Sequence, residues 1–568
     1  MMSPGRAVGA SLLACLLLAA AAAGATGGTI DFGGALSAAF KFATLIHVRF
    51  DMGNPKRVPF FQIFANMPSW GFDIIKYKVA KKMVDAALSS SSSGGEKPKF
   101  IMIFGGTSVT AGHDSYYNQS YPFVAERRLI KVFDALGIEL HVRNIAMGAN
   151  NCLPSDHCYN AQGGENADWL SWEQSFNCGK ANNIFETMMR VAAFNKAVVY
   201  FTASGGFMPT NCAPSSDTVP WIMEHWTPEA AGITDTYTPN RNDTQRVRNT
   251  LHEFYMEGNS VTRFTAPVWP HYNGVGPHGQ SVWAKSPSKG TPFDYHGACL
   301  ENGGPHWMVK ETATYTLGHG ASHHPSWGMH LLRGETIAYW YLHVIIDAIY
   351  QVQEDVKAAS AGAEQTPETL RMLSARYQAA LDKLQTPIPA KGLICSPDCD
   401  GPLRCFTNFE PHFNPAARLE RLFVNTSRGA HPGWVYAGTD DLRTFPATRR
   451  GMGYKDHKTF WEATDPDAAL HLRIDIRNNT FMRLCSYNCK ECLRHALLRL
   501  EPNVSDERVA TGSFQLSPEA APWKHRHVGD ECRLVENLPR GRHVLAILVN
   551  RNLTVRHRVA LTHAIMFA

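Results

Sequence analysis

Phe100-Ile101-Met102-Ile103-Phe104-Gly105-Gly106-Thr107-Ser108-Val109-Thr110-Ala111-Gly112 is the stretch on which the fold reading turns. Its first five residues are uninterruptedly apolar, as expected of a short strand buried on both faces. Two glycines follow, then a serine, and a helical pattern occupies Pro122 to Leu136. A Gly-rich turn between a buried strand and a helix brings backbone N–H groups close to a reacting oxygen and leaves the Ser108 hydroxyl exposed. Serine and glycine are also ordinary turn residues, so the run takes its meaning from what surrounds it.

Downstream, short apolar runs at Glu139 to Ile145, Trp169 to Trp172 and Ala197 to Phe201 alternate with helical periodicity, including Ile184 to Phe194. Strands alternating with helices at this spacing predict an α/β fold, a parallel sheet flanked by helices. Ligands then sit at the carboxyl ends of the strands, where the Ser108 turn falls. Arg143-Asn144-Ile145-Ala146-Met147-Gly148-Ala149-Asn150 ends a second strand in a glycine 40 residues after Ser108. Ala167-Asp168-Trp169-Leu170-Ser171-Trp172-Glu173-Gln174-Ser175-Phe176-Asn177 ends a third in an asparagine 29 residues further on. Both intervals fit successive β-α-β steps of one sheet, so each loop opens on the same edge. His324-Pro325-Ser326-Trp327-Gly328-Met329-His330 precedes a helical pattern over Leu331 to Ile349, and a histidine placed there can turn its ring toward that edge.

Taken together, these blocks resemble the SGNH (GDSL-type) hydrolase superfamily, which carries Ser, Gly, Asn and His in that order. The resemblance covers roughly residues 99 to 345. Gly106-Thr107-Ser108 stands at the Gly-Asp-Ser block, Gly148 at the second-block glycine, Ser175-Phe176-Asn177 at the Gly-x-Asn block, and His324-Pro325 with Gly328 at the His-Pro-x-x-Gly end. The resemblance implies a flavodoxin-like sheet and ester hydrolysis through an acyl-enzyme. Ser108 would be the nucleophile and His324 the base, and the N–H groups of Ser108 and Gly148 with the Asn177 amide would hold the oxyanion. Thr107 replaces the family's usual Asp, and Ala321 stands where the family places the acid three residues before the histidine. Asp294 and Glu301 are candidates for that acid.

A chain of 568 residues exceeds one ordinary core. The N-terminus has Arg6, an apolar stretch from Leu12 to Ala23, and the small-x-small run Ala23-Gly24-Ala25, and so reads as a secretory signal peptide over residues 1–25. Residues 26–98 form an N-terminal extension, with an amphipathic helical pattern over Asp73 to Leu88 and a Ser-rich linker from Ser89 to Gly95. The catalytic unit spans 99–350, interrupted at 213–320 by a Pro-, Gly-, His- and Trp-rich insertion, and a polar helical connector covers 351–388. Residues 389–568 carry short strand-like runs and turns, read as a C-terminal antiparallel β-sandwich of jelly-roll type.

With a formal charge of +5 and no basic run interleaved with aromatics, the chain offers no nucleic-acid groove. Beyond the leader no segment approaches membrane-spanning length, so no stable membrane insertion is expected after cleavage. The leader contains Cys15, and twelve of the 13 cysteines lie beyond it. Six N-x-S/T sites, at Asn118, Asn242, Asn425, Asn478, Asn503 and Asn552, fit the same extracellular or lumenal setting. Cys485, Cys489 and Cys492 have iron–sulfur spacing, but a late, strand-rich region of a secreted chain favours disulfides. Cys395, Cys399, Cys405 and Cys532 join that framework, while Cys152, Cys158, Cys178 and Cys212 cluster around the site loops. The 25 histidines include no HExxH pattern, and no cofactor or metal is expected. The expected partner is an ester substrate, glycan-linked in view of the accessory domain. An acyltransferase on the same scaffold and a catalytically silent glycan-binding protein are the alternatives.

Overall fold

The computed structural model describes residues 32–49, 72–90, 95–112, 120–148, 152–155, 157–173, 197–201, 327–360, 366–384, 403–409, 412–424, 431–438, 459–466, 468–477, 481–486, 493, 496–501, 513–514, 531–549 and 559–567. The leader at 1–25, the insertion at 213–320, the pattern at Ile184 to Phe194, and Asn177 and His324 lie outside the described residues. No described helix is long and apolar enough to cross a membrane.

Two helices, α1 (Phe32–Arg49) and α2 (Phe72–Ser90), precede the first strand. The chain continues through β1 (Lys99–Gly106), the single turn α3 (Ser108–Ala111), α4 (Tyr121–Ala135), β2 (Glu139–Asn144), the short α5 (Tyr159–Gly163), β3 (Trp169–Glu173) and β4 (Val198–Phe201). Two long helices follow, α6 (Trp327–Ser360) and α7 (Pro367–Leu384). The strands pair in parallel in the order β2-β1-β3-β4. After β1 the chain goes to one side for β2, then crosses to the other for β3. That reversal opens a crevice at the carboxyl ends of β1 and β3.

Seven of the eight β1 residues are buried, and their alternation divides two packing layers. Phe100, Met102 and Phe104 join a core shared with α1, α2, α4, α6 and α7. Phe100 lies 5.0 Å from the Phe133 ring and 6.0 Å from Tyr341, and Phe104 lies 4.8 Å from Trp169. Burying each such side chain contributes on the order of 2–3 kcal/mol. Helix α4 meets this face through Tyr121, Val124, Ala125, Leu129, Val132 and Phe133, an apolar stripe at helical spacing. Arg128 of α4 clamps the fully buried Glu335 of α6, with its Nε 2.9 Å from Oε1. Such a buried carboxylate is tolerable only with a partner.

At the entry to β3, Asp168 accepts from the Ile101 N–H at 2.9 Å and faces Lys78 and Lys82 of α2 at 3.4 and 3.3 Å. On the opposite face of the sheet, the Tyr159 hydroxyl of α5 reaches the carbonyls of Ile103 (3.0 Å) and Ser171 (2.7 Å), bridging β1 to β3. Burial raises this phenol well above its usual range, so it remains a neutral donor. Gly105 is obligatory beneath it, because a Cβ there would overlap the Tyr159 ring.

The C-terminal strands are β5 (Leu403–Thr407), β6 (Val435–Gly438), β7 (Thr459–Ala463), β8 (Ala469–Ile476), β9 (Met482–Ser486), β10 (Ala496–Glu501), β11 (Ser513–Phe514), β12 (Glu531–Val535), β13 (Gly541–Val549), β14 (Val559–Leu561) and β15 (His563–Phe567). They form antiparallel sheets ordered β11-β10-β13-β8, β12-β9-β15-β5 and β14-β7-β6. Leu472 and Ile547 from the first sheet, Leu484 and Met566 from the second, and Trp461 and Leu561 from the third meet in one core. Cys485 is bonded to Cys532 across the paired strands β9 and β12, so its sulfur is spent on a disulfide.

A second disulfide, Cys158–Cys405, joins the segment before α5 to β5 and ties the antiparallel sheets to the parallel one. Around it, the Phe413 N–H donates to the Gln162 carbonyl at 2.7 Å and the Asn414 amide donates to the Asn160 carbonyl at 3.2 Å. Arg143 lies over the Phe413 ring at 5.3 Å. Phe409 packs on Met147 from one side and stands edge-on to His563, 4.5 Å between ring centres, on the other.

Burial, with a smaller contribution from neighbouring His412, lowers the His563 pKa from 6.5 to about 3. Burial also lowers that of His412, to about 4. Both rings are neutral in the folded chain and take up protons on unfolding once the pH falls below about 6.5. The unfolded chain then binds more protons, so stability is complete above pH 6.5 and declines as the pH falls from there toward 4. Urea midpoints measured between pH 7 and 4.5 should fall with pH, and the fall should be shallower in His563→Asn. An equal slope in both proteins would contradict this assignment.

Candidate functional site

Ser108 is the first residue of α3, directly beyond β1, and is half-buried at the crevice between β1 and β3. Its position follows from strand pairing. Gly106 sits opposite Glu173, and the Thr107 N–H extends the ladder by one more bond to the Glu173 carbonyl at 3.0 Å. The pairing ends there and the chain turns, closing α3 with the Ala111 N–H on the Thr107 carbonyl at 3.0 Å. Gly112 then reverses direction at φ +80°, a left-handed conformation that a side chain would strain.

Below this turn lies Glu173, fully buried. Its Oε2 accepts from the Thr107 N–H (3.1 Å), the Thr107 hydroxyl (2.8 Å) and the Thr110 hydroxyl (3.0 Å). Since Thr110 gives its one hydrogen to Glu173, the Tyr121 hydroxyl 2.7 Å away donates to Thr110. The result is a chain Tyr121 to Thr110 to Glu173, with Thr107 joining at the same oxygen. Thr107 thus binds a carboxylate from the neighbouring strand. At Gly106 a Cβ would collide with Thr110 and Glu173, so the glycine keeps this space open.

On the other side, the loop leaving β2 is fastened to the same turn. The Ile145 N–H donates to the Phe104 carbonyl (2.8 Å) and the Met147 N–H to the Gly106 carbonyl (3.2 Å). Asn144, 2% exposed, bridges the two segments, with Nδ2 donating to the Thr110 carbonyl (2.9 Å) and Oδ1 accepting from the Ala146 N–H (3.1 Å). Gly148, buried, comes directly after this bonded stretch. Two of the four residues expected from the sequence, Ser108 and Gly148, therefore lie on segments bonded to one another. Asn177 and His324 lie outside the described residues, as do Asp294 and Glu301.

Glu173, Asn144, Thr110 and Tyr121 were not among the expected site residues. For Glu173 a signal was present, because it shares strand parity with Trp169 and Ser171 and so puts a carboxylate on a buried register at a strand's carboxyl end. Asp168 lies at the opposite end of β3, where its lysine partners give it a role in packing.

No protein-family model matches the sequence, and no curated protein matches it. Among solved structures, the chain is similar to a two-domain esterase active on acetylated mannans, co-crystallised with mannopentaose. That match has 10% identity and a TM-score of 0.33, and covers 83% of this chain and 92% of that chain. A second structure of a two-domain esterase active on acetylated mannans gives 11% identity, a TM-score of 0.31, and coverage of 83% and 91%. Likeness at this level carries no argument about chemistry, which rests on the residues themselves.

Replacing Asn144 with alanine strands a buried carbonyl at Thr110 and a buried N–H at Ala146. Asn144→Ala should therefore cost about 2–4 kcal/mol in urea unfolding. A loss within about 0.5 kcal/mol of zero would show that the bridge does not hold the two loops together.

Proposed function

We propose that the chain is a serine esterase of SGNH type that removes ester-linked acyl groups from a polysaccharide or glycoconjugate in an extracellular or lumenal compartment. The observation that carries this reading is the placement of Ser108 at the topological reversal of a parallel sheet, with the Gly148 loop bonded to the same strand end. The antiparallel sheets with their single core are read as a sandwich-type accessory module. The two disulfides among the described residues are in keeping with an oxidising compartment.

In the proposed reaction Ser108 Oγ attacks the acyl carbonyl carbon and passes its proton to His324. The oxygen of the tetrahedral intermediate takes its charge facing the N–H groups of Ser108 and Gly148 and the Asn177 amide. Collapse breaks the ester C–O bond, and His324 gives its proton to the departing sugar oxygen, which leaves as a hydroxyl. Water, deprotonated by His324, then attacks the acyl-Ser108 ester; the acyl C–Oγ bond breaks, the carboxylic acid leaves, and His324 returns the proton to Ser108 Oγ. With Ala321 at the family's acid position, orientation of His324 falls to another group.

A fluorophosphonate probe should label the intact chain at Ser108, and acetyl esters of a simple phenol should be hydrolysed. Ser108→Ala should abolish labelling and lower hydrolysis by about a thousandfold or more, and Asn177→Ala should lower it by about a hundredfold. Label at a different residue, or hydrolysis unchanged in Ser108→Ala, would reject the reading.

A further inference from the structure

We infer that Glu173 is a positioning residue for Ser108: its buried carboxylate, brought opposite Gly106 by the pairing of β1 with β3, fixes the turn that presents the hydroxyl. For its catalytic meaning this inference rests on Ser108 as nucleophile. The local geometry stands by itself. One carboxylate oxygen takes donors from residues on both sides of Ser108, Thr107 before it and Thr110 after it. The two Thr110 groups that bond outward point to different strands, the hydroxyl to Glu173 of β3 and the carbonyl to Asn144 at the end of β2. The turn is therefore held from both neighbours of β1.

Oε2 of Glu173 concentrates three hydrogen bonds, two of them from groups of Thr107 and one from Thr110. Full burial of Glu173 keeps water from replacing them. A serine presented on one turn of helix has no long element to hold it, so without this anchor residues 107–111 would sample orientations in which the hydroxyl no longer faces a bound carbonyl. A misplacement on the order of 1 Å is enough to cost about a hundredfold in rate.

Two variants and two readouts test this. Glu173→Gln keeps the shape and one acceptor oxygen but puts an NH2 donor in place of the other, and Glu173→Ala removes the anchor. Hydrogen exchange of the peptide covering Thr107 to Ala111 should quicken about tenfold in Glu173→Gln and further in Glu173→Ala, with exchange at the start of β1 unchanged. Fluorophosphonate labelling and kcat should fall about tenfold in Glu173→Gln with KM within about twofold, since a misaimed nucleophile loses transition-state contact without losing substrate binding. If Glu173→Ala does not fold, the Gln variant decides. Exchange at 107–111 equal to the parent, or labelling at the parent rate in either folded variant, would overturn the assignment. Should the parent protein take no label at Ser108, the esterase reading fails and the exchange measurement alone judges Glu173.

Discussion

The register of β3 on β1, with Gly106 opposite Glu173, is the constraint on which the rest depends. A slip of one residue would turn every β3 side chain to the other face, take Trp169 out of the helical core and withdraw the carboxylate from beneath Ser108. Carboxylates pin this register at both ends. At the entry Asp168 binds the Ile101 N–H and faces two ammonium groups on α2, which draws that helix onto the sheet. At the exit Glu173 binds hydroxyls and a backbone N–H, which orders the turn. The same residue type is spent on packing a helix at one end of the strand and on ordering the Ser108 turn at the other.

The antiparallel sheets act on the site through contact. Phe409 supports Met147, the residue immediately before Gly148, and is itself backed by the neutral ring of His563. Cys158–Cys405 and the bonds of Phe413 and Asn414 to α5 hold that support in place. The seam therefore runs from the sheet face opposite the helices up to the loop that ends in Gly148.

Much of the parallel sheet was legible in the sequence, because β1 is an apolar run closed by two glycines, β3 is a short run rich in Trp and Leu, and the hydrophobic stripe of α4 has one clear period. The predicted helix over Asp73 to Leu88 appears as Phe72–Ser90. Helix α1 was not legible, since its apolar and basic residues mix without a clean stripe and its burial against α6 and α4 is decided by tertiary packing. The pattern at Leu331 to Ile349 and the start of the helical connector form one helix, α6, ending at Ser360, where Asp355 accepts from Gln351 within the helix and from Tyr377 of α7. Among the described residues, α1, α2, α4, α6 and α7 share one face of the parallel sheet and α5 with β5 lies on the other, while the expected helix at Ile184 to Phe194 lies outside them. The cysteines read as two separate groups are joined by Cys158–Cys405, a pairing that no local spacing encodes. Motif order singled out Ser108 and Gly148, which the strand pairing brings onto bonded segments, whereas Glu173 needed the register to show that a carboxylate lies under the turn.

The account stands most directly on where an electrophile lands. A crystal structure of the chain after reaction with a small fluorophosphonate should show phosphorus bonded to Ser108 Oγ and the phosphonyl oxygen within about 3 Å of the Gly148 N–H, with Glu173 still bound to Thr107. Phosphorus on another side chain, or a phosphonyl oxygen turned away from Gly148, would contradict it.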